Sequence, residues 1–117
     1  MEVIPYSFGG VPLLSLAGDF DHDSVSSFTE QADQALGTNG HRLLLQMTDC
    51  PYMDSGRVGC LVSSLRRVRG CGWLGVVAPS PDVLRLLKIT GLTVDPSFHV
   101  FSGLDDVHAY FEEPPAT

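Results

Sequence analysis

Residues 41–69, HRLLLQMTDCPYMDSGRVGCLVSSLRRVR, join a short apolar run to an amphipathic stretch through a polar tetrad, Met53-Asp54-Ser55-Gly56. Leu43, Leu44 and Leu45 are consecutive, and Met47 follows one residue beyond. A short run that is apolar on both parities predicts a central strand covered on both faces. Past the tetrad, Val58, Leu61, Val62, Leu65 and Val68 recur at i, i+3, i+4, i+7 and i+10, the spacing of one helix face. Arg66, Arg67 and Arg69 close that stretch, where cations complement the helix dipole. A strand, a turn and a helix in this order point to a layered α/β fold.

The alternation continues in both directions. Val3 to Phe8 is β-prone, Gly9-Gly10 is a turn signal, and residues 11–18 (VPLLSLAG) predict a second strand, which makes a hairpin of the first two. Gly18 opens a polar loop, GDFDHDS. From Ser24 to Leu36, residues Val25, Phe28, Ala32, Ala35 and Leu36 share a helical face, and Gly37 is expected to stop that helix. Residues 73–78 (WLGVVA) predict another buried strand. Ser80-Pro81-Asp82 has the hydroxyl cap, first-position proline and early acid of a helix start, with Val83, Leu86 and Leu87 on its apolar side and Gly91 after its end. Phe98 to Phe101 predicts a last strand. Ser102 or Gly103 opens a final helix with Leu104, Val107, Tyr110 and Phe111 facing inward. The order β-β-α-β-α-β-α-β-α predicts one α/β domain, with a mostly parallel mixed sheet of four to five strands and about four helices. That domain is expected to span residues 1–112, with residues 113–117 as a frayed tail.

A chain of 117 residues supplies one hydrophobic core. Its formal net charge of -7 argues against nucleic acid and against an anionic membrane surface, both of which need a basic face. No apolar run is long enough to cross a bilayer. The charge is segregated: Glu2, Asp19, Asp21, Asp23, Glu30 and Asp33 precede the first basic residue, Arg42. That asymmetry suits a solvated surface or a docking face for a basic partner. Cys50, Cys60 and Cys71 are odd in number and form no CxxC pair, so they read as reduced thiols of a cytoplasmic protein.

The tetrad has two readings. In one, Asp54 or Ser55 caps the following helix and Gly56 eases the turn. In the other, Ser55 is presented for chemistry at the carboxyl end of a strand, where open α/β sheets place functional groups. Unpaired N–H groups at a helix start tolerate negative charge, and a phosphate on Ser55 would bring roughly -1.5 to -2 charges there. Arg57 stands two residues on, as a candidate partner for that charge. An enzyme built on Ser55, Asp54 and the four histidines (His22, His41, His99, His108) lacks every supporting motif: there is no G-x-S-x-G, no H-E-x-x-H and no phosphate-binding G-x-x-x-x-G-K-[ST] loop. No catalytic residue, metal site or cofactor is therefore assigned.

Four stretches in order carry a family likeness. Gly18-Asp19-Phe20-Asp21, the strand Leu43 to Met47, Tyr52-Met53-Asp54-Ser55, and Ser80-Pro81-Asp82-Val83 with Thr90-Gly91-Leu92 resemble a STAS domain, and more closely the SpoIIAA-like anti-sigma factor antagonists of bacteria. The resemblance spans residues 3–112. It implies that Ser55 accepts phosphate from an anti-sigma factor that is also a serine kinase, and that phosphorylation releases this partner. A metal-dependent, PP2C-type phosphatase would reset the switch. It further implies a partner-binding surface around Asp21, Asp54, Ser55, Gly56, Arg57 and Gly59. The sequence departs from the family pattern at Gly56 and Arg57, where Ser and Gly are usual, and at Gln46, where an acid is common. The alternative is a STAS module that docks without phosphorylation, as a stressosome piece or the small subunit of a lipid-transport ATPase complex.

Overall fold

The structure, a computed structural model, describes residues 1–39 and 41–112. Strands β1 (Glu2–Phe8), β2 (Val11–Ala17), β3 (Arg42–Asp49), β4 (Trp73–Val77) and β5 (Phe98–Phe101) form one sheet in the order β1-β2-β3-β4-β5. The first pair is antiparallel, through the Gly9-Gly10 turn, and every other pair is parallel. Helices α1 (Val25–Asn39), α2 (Val58–Val68), α3 (Pro81–Ile89) and α4 (Leu104–Glu112) alternate with the strands. This is the predicted fold class: five strands, mostly parallel, and four helices.

Period-two alternation divides the strand residues between two cores. Leu14, Leu16, Leu43, Leu45, Met47, Leu74 and Val76 bury against Phe28, Ala32 and Leu36 of α1, Leu61, Leu65 and Val68 of α2, and Val83 and Leu87 of α3. Val11, Leu13, Leu44, Val77 and Phe101 face the other way and meet Val107 of α4. Leu43, Leu44 and Leu45 are each 0% exposed, which is why β3 reads as one continuous apolar run. On the α4 face the rings of Trp73, His99, Phe101 and Tyr110 stack at tilted or edge-on angles, with centroids 5.4 to 6.2 Å apart. Gly75 lies beneath them, and a Cβ there would sit 2.8 Å from the Phe101 ring, so that ring would have to shift to admit one.

Three local expectations shift. Helix α1 does not stop at Gly37 but runs to Asn39. A glycine stops a helix by taking a left-handed conformation, and Gly37 is not among the glycines with positive φ. Strand β3 extends past Met47 to Asp49, because β2 resumes pairing after a register shift and sets Ala17 opposite Asp49. The loop GDFDHDS contains a helical turn, His22–Ser24, and a fully buried ring, Phe20, packed 5.0 Å from Phe28. The inward place expected for the Phe111 side chain and the fraying expected of residues 113–117 lie outside the described residues.

Candidate functional site

The carboxyl ends of β2, β3 and β4 lie side by side, and the loops that leave them are joined. Gly18 N–H donates to the Asp49 carbonyl at 2.9 Å, Phe20 N–H to Tyr52 at 2.9 Å, and Asp54 N–H back to Phe20 at 2.9 Å. Phe20 and Met53 thereby form a parallel bridge outside the sheet, and both side chains are buried. The Ser80 hydroxyl reaches the Pro51 carbonyl at 3.4 Å, which attaches the start of α3 to the same loop. Ala78 turns the chain toward that start with φ 52°, a left-handed conformation that costs a non-glycine residue roughly 1 kcal/mol.

Asp54 and Ser55 divide the roles that the tetrad left open. Asp54 has extended backbone, and its Oδ1 accepts the Gly56 N–H at 2.9 Å; it is the cap of the turn Ser55–Arg57 that leads into α2. Ser55 is the first residue of that turn and is exposed. Among the described residues its hydroxyl has no hydrogen-bond partner. A group placed so is open to a second protein.

Asp21 performs the same capping on the neighbouring loop. Its Oδ1 accepts Asp23 N–H at 3.1 Å and the Ser24 hydroxyl at 3.0 Å. Arg57 does not extend alongside Ser55. Its Nη1 lies 3.4 Å from His22 Nδ1, across the seam between the two capped turns, and its Nε is buried without a partner. Gly56 and Gly59 line a groove of about 310 Å³ between α1 and α2, with Val25, Phe28 and Cys60. Ser55 lines a different groove of about 380 Å³, walled by Tyr52 and Met53 on one side and Asp82, Arg85, Leu86 and Ile89 of α3 on the other. All six residues implied for partner binding thus sit at one end of the sheet, but they straddle the turn.

Arg85 and Ile89 are the members of this region that no sequence motif marked. The available signal was the 82-85-86-89 stripe of α3, one helix face holding an acid, a base and two apolar residues beside the Ser80 cap. His41 and His108 are exposed, and His99 is half-buried in the ring cluster, so none of these joins Ser55. Burial pushes the Cys50 and Cys60 thiols up and the His99 imidazole down from their ordinary values. Among the described residues no group of three or more His, Cys, Asp or Glu is placed to hold a metal ion, and no helix is long and apolar enough to cross a membrane.

No curated protein matches this chain. Among solved structures it is similar to a Thermotoga maritima protein assigned as an anti-sigma factor antagonist, at 17% identity over 95% of each chain with a TM-score of 0.84. An anti-sigma factor antagonist from Mycobacterium paratuberculosis superposes at TM-score 0.82, with 20% identity over 96% of this chain and 94% of that one. The phosphorylated form of the Bacillus cell fate determinant SpoIIAA gives a TM-score of 0.71, with 17% identity over 93% of this chain and 99% of that one. Those identities carry the fold. The sequence itself matches the family model described as "Mlab, STAS domain" over residues 7–99, more than half of its length, and the chain belongs to the STAS domain family.

Proposed function

We propose that the protein is a cytoplasmic, non-catalytic anti-sigma factor antagonist whose functional unit is residues 1–112, and that phosphorylation of Ser55 switches it. The observation that carries this reading is the exposed, unengaged Ser55 hydroxyl at the first position of a turn capped by its neighbour Asp54. The unmodified protein docks on an anti-sigma factor through the surface around Asp21, Asp54, Ser55, Gly56, Arg57 and Gly59, and a sigma factor is freed. The same partner, as a serine kinase, supplies ATP and magnesium. Ser55 Oγ attacks the γ-phosphorus, its proton passes to a base of the partner, and ADP leaves. The new charge stands beside the Asp54 carboxylate and in the middle of the docking face. Each 1.4 kcal/mol of lost complementarity lowers affinity about tenfold. A PP2C-type phosphatase restores the hydroxyl.

The test is incubation with each anti-sigma-type kinase of the same genome and ATP, followed by mass spectrometry. One phosphate, on Ser55, is expected. Ser55→Ala should bind and stay bound in ATP, while Ser55→Glu should bind poorly. Modification elsewhere, none with Ser55 intact, or equal affinity of the two variants overturns the reading. A second reading, a STAS subunit docked permanently in a scaffold or a lipid-transport ATPase complex, draws on Arg57, whose bulk lies across the seam to His22 where the family pattern has Gly. Recovery of an ATP-binding cassette protein and no kinase in a pull-down supports it.

A further inference from the structure

We propose that Arg85 is the positioning residue that takes up the phosphate on Ser55, so that the chain itself neutralises its modified site. This inference rests on the reading of Ser55 as phosphoacceptor.

The cations near the site are distributed unequally. Arg67 pairs with Asp33 at 2.6 Å and Arg69 with Asp95 at 2.7 Å. Arg57 lies against His22 and does not line the groove that Ser55 lines. Arg85 has no ion-pair partner among the described residues, and it shares with Ser55 the groove between the Tyr52–Ser55 loop and α3. The Ser80–Pro51 hydrogen bond holds the start of α3 against that loop, so the two walls keep their spacing. Tyr52, Met53, Leu86 and Ile89 supply apolar lining, but Ser55 and Arg85 are exposed, so water screens their charges and the capture rests on the fit of the guanidinium to the phosphate. A guanidinium presents a planar fork of donors that matches two phosphate oxygens. Asp82 lines the same groove and opposes the phosphate, so the sign of the outcome depends on which α3 charge the phosphate meets. Arg85 lies one helical turn beyond Asp82 and has the longer reach. In the unmodified protein the same groove presents a cation that has no ion-pair partner among the described residues, beside Asp82 and apolar side chains; once Arg85 folds onto the phosphate, a docking partner loses that cation.

The experiment installs phosphoserine at position 55 during translation, which requires no kinase, and follows the single phosphate by phosphorus NMR as pH is varied. A captured dianion ionises more easily. The second phosphate pKa is therefore expected to fall at least about 0.5 unit below its ordinary value near 6, a roughly threefold change in proton affinity. Arg85→Ala should abolish the shift, Arg85→Lys should restore part of it, and Arg57→Ala should leave it in place. Arg85 is exposed, so these variants should fold, which circular dichroism checks. A pKa at or above about 6, a shift that survives Arg85→Ala, or a shift lost in Arg57→Ala overturns the proposal. Failure of every kinase to modify Ser55 would instead overturn the functional reading and leave this measurement standing.

Discussion

Asp54 offers a separation of folding from recognition. Among the described residues its side chain makes one hydrogen bond, to the Gly56 N–H at 2.9 Å, while its backbone N–H bonds Phe20 independently of the side chain. Asp54→Ala removes the first and keeps the second. The cost is that of a lost N-cap, about 1 kcal/mol, or roughly 3–5 °C in Tm for a domain of this size. Asparagine caps about as well as aspartate, so Asp54→Asn should unfold within ~0.3 kcal/mol of the parent. Urea unfolding with an unchanged m-value measures both. Binding to the proposed anti-sigma partner then isolates the charge: if Asp54→Asn is stable yet binds weakly, the carboxylate is used in docking as well as in capping. Equal stability loss in the two variants, or none in Asp54→Ala, would refute the capping role, and the turn would have to be held by its backbone bonds alone.

Three further outcomes follow from the packing. Gly72→Ala should destabilise by about 3 kcal/mol or more in the same urea assay, because a Cβ would overlap the His41 carbonyl, which is backbone and already accepts from Trp73. His99 is neutral-favouring in the folded state because burial lowers its pKa, so the stability linked to it is complete above the ordinary histidine value near 6.5 and declines as pH falls below that. Tm measured from pH 7.5 to 5 should drop, and His99→Phe should flatten the drop. Thiol labelling should modify exposed Cys71 first and Cys50, which is 0% exposed, only on unfolding, with half-buried Cys60 between them; early labelling of Cys50 would contradict the packing of the loop.

The strands and helices were written in the sequence wherever packing is periodic. Strand β3 declared itself because three consecutive leucines are tolerable only where both sheet faces are covered, and α3 because Ser80, Pro81 and Asp82 each meet a distinct need of a helix start. Phe20 did not, since one ring among acids has no period; its burial comes from Phe28 and from the bridge to Met53, a contact across 33 residues. Gly37 misled because glycine stops a helix only through its φ, which composition does not specify. At the site, Asp54 and Ser55 were marked by their place between strand and helix. The direction of Arg57 toward His22, the neighbourhood of Arg85 and the split of the surface into two grooves depend on how α1 and α3 sit beside the turn, and no local pattern encodes that.

The stitching of the three loops bears on how a switch here must operate. To displace the Ser55 turn, the chain would have to give up the Phe20–Tyr52 and Asp54–Phe20 hydrogen bonds, the Ser80–Pro51 contact and the buried seats of Phe20 and Met53. Each hydrogen bond contributes on the order of 1 kcal/mol, and extracting one large buried side chain costs about 2–3 kcal/mol. Releasing a partner a hundredfold requires only about 2.8 kcal/mol. A phosphate that changes the charge of the docking face therefore achieves release at less cost than one that rearranges it. The left-handed Ala78 fits the same logic, because its strain is accepted in order to start α3 against the loop and fix one wall of the Ser55 groove. On these energies the fold serves as a rigid mount, and the proposed regulation works through one oxygen atom and the charges within its reach.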